Sequence, residues 1–455
     1  MFIHRIKTPG LAQNSYVVGS GTVAAVIDPR RDIEVYIDIA RQQGVAITGI
    51  FETHRNEDLI SGGPDLARRT GAVVHHGAQL DFAYGEPAHE DDSFVFGDCR
   101  LRVLETPGHT PESLSFVLDD TATGADAVAV FTGDCLFVNS VGRTDLHPAG
   151  AQTAAEQLYA SIHDKLLPLG DQTMVHPAHG SGSVCGGGLA KRDVSTIGIE
   201  RQHNPLLALD QDAFIAAKCD EHPLHPPYFR LMEQYNKDGA PPLPHLPLPR
   251  PVGPATFAEQ RDRGMQAVDL RGPEAAAGAV VPGALCIPVS LITAYAGFLL
   301  DPARPIGLIG AEVDDGGIAA AIASFSRIGF DQLDYELSGG MTSWETAGHD
   351  YTRLPSCHIS ELIDADTAER LVVDVRPHDE WQGGHLPQAC HIFLGELPQR
   401  LDELPRDREL VTFCGSGHRA IIAASILASA GFDRVTCCLG SMAACKARGC
   451  ELVGA

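Results

Sequence analysis

Gly49-Ile-Phe-Glu-Thr53-His54-Arg-Asn56-Glu-Asp58-Leu59 starts as an apolar, strand-like run and breaks abruptly into His, Asn and acidic residues. The same event recurs through residues 1–200. Val23-Ala-Ala-Val-Ile-Asp28 ends in Asp-Pro, and Ala127-Val-Ala-Val-Phe131 runs into Thr-Gly-Asp134. His109 sits in the turn Thr106-Pro-Gly-His-Thr110, and His179 in His176-Pro-Ala-His-Gly180. Strands that deliver polar groups at their ends are typical of α/β enzymes. Two imidazoles and one carboxylate from three such loops, His54, His109 and Asp134, suit one divalent metal.

In order and type, Asp28, Thr53-His54, His109, Asp134 and His179 resemble the five motifs of the metallo-β-lactamase superfamily. The resemblance covers about residues 1–240 and implies an αββα sandwich. The family usually carries Thr-His-x-His-x-Asp-His at its second motif. Here Asn56 and Leu59 stand at the later His positions, which counts against a two-zinc thioesterase of the glyoxalase-II type. The persulfide dioxygenase branch uses a single ferrous iron, and its three ligand positions are filled by His54, His109 and Asp134. The resemblance then implies Fe(II), one per chain. It also implies a small-molecule persulfide such as glutathione persulfide, O2, and sulfite or thiosulfate as reaction partners. Asn56, Asp58, Arg143, Asp145, His179 and Cys185 are expected to touch substrate or support the ligands. Arg143 is expected at the cavity rim, facing the anionic part of the thiol carrier.

Downstream, Glu409-Leu-Val-Thr-Phe413 reads as a buried strand and Ala420-Ile-Ile-Ala-Ala-Ser-Ile-Leu-Ala428 as a helix. Between them lies Cys414-Gly415-Ser416-Gly417-His418-Arg419. A Cys on a loop that feeds a helix N-terminus faces backbone N–H groups, and Arg419 adds positive potential. Both favour the thiolate. The loop resembles the Cys-x-x-Gly-x-Arg loop of rhodaneses. Val373-Asp374-Val-Arg376 and Gly384-His385-Leu-Pro387 resemble their upstream signatures.

This region also repeats. Val268-Asp-Leu-Arg271 recurs as Val373-Asp-Val-Arg376 at an offset of 105, and Gly329-Phe-Asp331 as Gly431-Phe-Asp433 at 102. A small α/β fold is duplicated. The first copy has Gly310-Ala-Glu-Val-Asp-Asp-Gly-Gly317 where the second has its Cys loop, so it is expected to be inactive and to act as a spacer. The proline-dense stretch Gly239–Pro251 reads as an extended linker.

The chain has 455 residues, about three domains at roughly 150 residues each. The expected fold class is α/β multidomain. The expected divisions are 1–240, the metallo-β-lactamase-like persulfide dioxygenase domain; 241–254, the Pro-rich linker; 255–350, the inactive rhodanese-like domain; and 351–455, the active rhodanese domain. A net charge of −25 repels polyanions, so neither nucleic acid nor membrane is an expected partner. A homo-oligomer is compatible with the sequence. The start lacks a signal-peptide pattern, and no apolar run is long enough to span a bilayer. Twelve cysteines without paired spacing read as free thiols in a reducing compartment, and the expected location is cytoplasmic. The late cluster Cys437, Cys438, Cys445 and Cys450 fits no common zinc spacing. Two other functions compete. One is a metal-dependent thioester hydrolase. The other is a rhodanese sulfur carrier with a degenerate first domain.

Overall fold

The computed structural model describes residues 1–183, 188–311, 316–363, 369–387 and 389–454. Two compact units emerge, Met1–His245 with Arg327–Gly329, and Leu246–Ser326 with Phe330–Ala455.

The first unit holds two six-stranded sheets. One runs in the order Phe2–Lys7, Asn14–Ser20, Val23–Ile27, Ala46–Phe51, Val73–Gly77, Glu86–Ala88. The other runs Ser195–Thr196, Met174–Pro177, Ala125–Gly133, Leu114–Asp120, Cys99–Glu105, Ser93–Phe96. Side-chain alternation explains why Val23–Ile27 is apolar without interruption. Ala25 and Ile27 face the second sheet, in one core with Phe51, Phe116 and Phe131. Ala24 and Val26 face outward onto Tyr36, Ile39 and Leu66 of the helices Glu34–Gln43 and Gly63–Thr70. A strand covered on both faces has no polar position to spare. Ala155, Leu158 and Phe214 cover the far face of the second sheet. The layers are helix, sheet, sheet, helix, the sandwich expected from the motifs.

The second unit holds two five-stranded parallel sheets. The first is ordered Arg250–Val252, Leu333–Leu337, Ile306–Ile309, Gln266–Asp269, Leu285–Cys286. The second is ordered Ser356–Cys357, Val435–Cys438, Glu409–Phe413, Arg370–Asp374, Cys390–His391. The order is the same element for element, as duplication requires. The linker expectation needs one correction. Arg250–Val252 is a strand paired with Tyr335–Leu337, and Pro254–Asp262 is already a helix. Pro251 is tolerated because an edge strand can lose a donor, and Pro254 suits a first helical turn.

No helix among the described residues is long and apolar enough to cross a membrane. The cysteines described are free thiols.

Candidate functional site

Five strand ends of the first unit carry the chemistry. Asp28 follows Val23–Ile27, Thr53-His54 follows Ala46–Phe51, His109 follows Cys99–Glu105, Asp134 follows Ala125–Gly133, and His179 follows Met174–Pro177. Gly133 must be a glycine. Its φ is 53°, and a Cβ there would sit 2.7 Å from Thr53 Oγ1, so any side chain would push the two ligand loops apart.

His54, His109 and Asp134 each offer a donor atom within 4.8 Å of the others, and all three are buried. The opposite atom of each is tied down. Thr53 takes its backbone N–H and its hydroxyl to Asp28, at 2.7 and 2.9 Å, which leaves the hydroxyl oxygen to accept from His54 Nδ1 at 2.9 Å. His109 Nδ1 donates to the Arg143 carbonyl at 2.9 Å, and His179 Nδ1 to Asp134 Oδ1 at 2.7 Å. These bonds anchor both rings, so Nε2 of His54 and Nε2 of His109 face inward. Those two nitrogens and Asp134 Oδ2 have no hydrogen-bond partner. Asp134 Oδ2 lies 3.7 Å from His54 Nε2 and 3.5 Å from His109 Nε2. Buried polar atoms left unmatched carry a heavy cost. Three converging on one point fit a cation.

The electrostatics separate the two imidazoles. Burial lowers His54 to about 4, keeping the imidazole neutral and able to ligate. Burial also works to lower His109, but Glu57 and Asp134 outweigh it and hold it up, at about 9, so its Nε2 keeps a proton that a bound cation would displace. Burial opposes ionisation of Asp134, yet His179 and His54 hold its carboxyl well below the usual range. Burial raises Asp28 to about 7.

The other expected residues separate. His179 bridges Asp134 and Asp58, whose Oδ2 is 3.1 Å from Nε2. Asn56 is buried, with its Oδ1 unmatched. Arg143 is not a rim cation. It is 1% exposed, forms a two-pronged pair with Asp145 at 2.7 Å, and donates to the Leu224 carbonyl at 3.1 Å. Its part is to present the carbonyl that holds His109. Asp145 also meets His225. Cys185 lies outside the described residues. A groove lined by Lys7, Asn14, Gly180 and Lys191 opens beside the His179 loop.

Two residues went unread in the sequence. Asn236, on the helix Phe229–Asp238, donates to the carbonyls of Asn56 and Leu59 at 2.7 Å and accepts from Ser61 N–H. No local pattern announces a clamp from 180 residues away. Glu57 is fully buried, and its Oε2 lies 3.4 Å from His109 Nε2. An acid on a ligand-bearing loop was the available signal.

In the second unit the strand Glu409–Phe413 leads to Cys414, and the helix His418–Ser429 starts after Gly417. Cys414 is buried, and its Sγ accepts from the Gly417 N–H at 3.1 Å. Cys414 N–H donates to Ser441 Oγ at 3.2 Å. Gly417 has φ 104°, which closes this turn. Ser416 Oγ meets His418 Nδ1 at 3.2 Å. Arg419 does not stand alone as a positive group. It pairs with Glu380 at 2.7 and 2.9 Å, and Gly415 packs against it. Asp374 holds Arg376 through three nitrogen–oxygen contacts of 2.7 to 3.0 Å, and Asp269 holds Arg271 through two, at 2.9 and 2.6 Å, in the first copy. The first copy also reaches this loop. Tyr295, on its helix Ile292–Leu299, lies beside Arg419 and close to Cys414. Residues 312–315 of the first copy's own loop, with the acidic Glu312, Asp314 and Asp315, lie outside the described residues.

Known proteins match both units. The metallo-β-lactamase superfamily model matches residues 8–179, and the rhodanese-like domain model matches residues 359–448. The mitochondrial persulfide dioxygenase ETHE1 of Mus musculus is 30% identical over 227 residues, which span 47% of this chain and 79% of that protein. Its Homo sapiens counterpart is 31% identical over 198 residues, 42% of this chain and 69% of that one. The crystal structure of a metallo-β-lactamase from Staphylococcus aureus COL is 30% identical, with a TM-score of 0.65, and covers 74% of this chain and 98% of its own.

Proposed function

We propose, on the premise that this chain belongs to the persulfide dioxygenase family of the metallo-β-lactamase superfamily and carries a rhodanese-like domain, that it oxidises a low-molecular-weight persulfide and transfers sulfane sulfur. The observation that carries this reading is the convergence of three orphaned, buried donors from His54, His109 and Asp134. They fit a single Fe(II) per chain, since two imidazoles and one carboxylate are a common ferrous set that leaves room for outside ligands, and His109 gives up its Nε2 proton when the ion takes its place. Bound there, the ion supplies the redox chemistry by which O2 reacts with sulfur.

The net conversion is R–S–SH + O2 + H2O to R–SH + SO3²⁻ + 2 H⁺, with glutathione persulfide as the expected substrate. The protein's own part is to orient and to exclude water. Thr53, the Arg143 carbonyl and His179 each hold one atom of a ligand so that the other faces the ion. Asp58 steadies His179, and Asn56 Oδ1 offers a buried acceptor on the same loop. The loss of imidazoles at Asn56 and Leu59 removes donors for a second metal, which favours oxidation over thioester hydrolysis.

Cys414 is the proposed sulfur carrier. Its thiolate attacks the outer sulfur of thiosulfate, the S–S bond breaks, and sulfite leaves. The reverse returns sulfur to sulfite as thiosulfate. The Gly417 N–H lies where it can stabilise the sulfur anion, with Gly415, Ser416 and His418 shaping the loop and Arg419 facing the anion. We assign oxidation to 1–240, transfer to 351–455 and support to 255–350. Free thiols agree with a cytoplasmic setting.

Metal analysis of anaerobically purified protein tests the reading. It expects about one iron per chain and O2 uptake with glutathione persulfide. His109→Ala should lose both and keep thiosulfate sulfurtransfer. Zinc with thioesterase activity and no O2 uptake would replace it with the hydrolase. A metal-free protein active only in sulfur transfer would replace it with the carrier.

A further inference from the structure

We infer that His418, its ring set by Ser416, is the residue that selects sulfur oxyanions at Cys414. The inference rests on the reading of Cys414 as the sulfur carrier and names the group that meets the anion. Discharge to sulfite runs from Cys414–S–S⁻ + SO3²⁻ to Cys414–S⁻ + S–SO3²⁻. The sulfite sulfur attacks the outer sulfur with its lone pair, the S–S bond to Cys414 breaks, and that electron pair stays on the cysteine. Two anions must meet, on a chain whose net charge is −25. A cation at the point of contact offsets their repulsion.

Within Cys414–Arg419 the side chains that can carry positive charge are His418 and Arg419. The charge of Arg419 is already answered, because its two terminal nitrogens donate to the two Glu380 oxygens at 2.7 and 2.9 Å. His418 is exposed, and no carboxylate pairs with it among the described residues. Its Nδ1 lies 3.2 Å from Ser416 Oγ, so Nε2 is the nitrogen left for a ligand. An arriving dianion selects the two arrangements in which Nε2 carries a hydrogen. In the neutral one, Ser416 donates to Nδ1. In the protonated one, Nδ1 donates to Ser416, which frees the serine hydroxyl as a second donor, and the dianion favours this form. Gly417 stands between the two residues, and its N–H meets Cys414 Sγ at 3.1 Å. The loop thus places a backbone donor on the sulfur and a side-chain donor on each flank of that glycine. The sulfonate of thiosulfate begins one S–S bond, about 2 Å, beyond the sulfur that Cys414 takes. That is a place for side-chain donors. The helix His418–Ser429 starts at the same residue and adds potential of the same sign.

The test uses the full-length protein and reads charge selection directly. Cys414 is alkylated with iodoacetate, an anion, and with iodoacetamide, its neutral counterpart, and the rate at that thiol is followed by mass spectrometry. The thiolate fraction enters both rates equally, so their ratio reports the potential that an anion meets. His418→Ala should lower the iodoacetate-to-iodoacetamide ratio about fivefold or more, and His418→Lys should restore it. The KM for thiosulfate should rise in His418→Ala and recover in His418→Lys. A merely structural role would slow both reagents together, and a wild-type ratio in His418→Ala would overturn the inference. So would a lowered ratio that His418→Lys does not restore. Sulfur transfer is read separately. A His418-dependent ratio in a protein that takes no sulfur from thiosulfate would sink the proposed transfer and leave this inference standing. Transfer with the ratio and KM of wild type in His418→Ala would do the opposite.

Discussion

Around His54, His109 and Asp134 the inward polar atoms are unmatched, whereas around Cys414 they are paired. At Cys414 the thiol sulfur accepts a backbone N–H, the cysteine's own N–H reaches Ser441, and Arg419 is neutralised by Glu380. On the proposed reading a cation completes the first arrangement, whereas the second is paired as folded and offers a thiol from its own chain as the nucleophile. The two should therefore fail independently.

The largest effect expected from breaking that independence is at Cys414. Cys414→Ser keeps the loop's size and removes the nucleophile. Sulfur transfer from thiosulfate should fall to background, measured as thiocyanate or persulfide formed. Iron content and persulfide-dependent O2 uptake should stay at the wild-type level, with sulfite accumulating. Retained transfer would move the carrier role to another thiol, with Cys185 first in line. Lost O2 uptake would mean that the two sites are coupled.

The pattern at strand ends made much of this readable beforehand. His54, His109 and Asp134 each follow an apolar run, and side-chain alternation forces the first polar residue after such a run to the edge of a sheet. The Cys414 loop was legible because strand, loop and helix are contiguous. What stayed hidden depends on contacts distant in sequence. Arg143 looked like a cation for substrate until the fold set Asp145 and the Leu224 carbonyl around it. Arg419 read as added positive potential until Glu380, 39 residues earlier, met it. Asn236 and Tyr295 carry no motif, and only chain folding brings them to the loops they touch. Glu57 was hidden differently: it sat inside a motif, at a position the motif leaves unspecified.

Tyr295 sharpens the comparison at the level of the two repeats. The first copy lacks a Cys on its own loop, yet its helix Ile292–Leu299 sets Tyr295 beside Arg419, and Phe298 packs on Phe393 with ring centres 5.6 Å apart. Cys286 N–H also donates to Ser425 Oγ on the helix that follows the Cys414 loop, at 3.1 Å. The first repeat therefore braces the second. Tyr295→Phe should keep the ring packing and lose the hydroxyl, with a several-fold rise in KM for thiosulfate as Arg419 loosens; one hydrogen bond to a charged group is worth about 1.5–3 kcal/mol at most. Metal content should not move. An unchanged KM would return the first repeat to a purely structural part.

The smallest expected effect tests the electrostatic contrast inside a single strand end. His179 lies between two carboxylates, which outweigh burial and hold its pKa well above the ordinary value. His176, three residues earlier, meets no such partner. Its ring stacks on Phe131 with centres 5.1 Å apart and stands edge-on to Tyr16 at 5.2 Å. Burial lowers it to about 4 from an ordinary 6.5. Below pH 6.5 the unfolded chain takes up a proton that the folded chain refuses until about pH 4, so stability is lost as the pH falls through that window. Linkage puts the loss at about 2 kcal/mol between pH 7 and pH 5. His176→Phe keeps an aromatic ring against Phe131 and Tyr16 and removes the titrating group. Its urea midpoint, followed by circular dichroism, should therefore fall less than that of wild type between those two pH values. Parallel losses in both proteins would assign the acid sensitivity to other buried groups and leave His176 a neutral packing residue throughout the range.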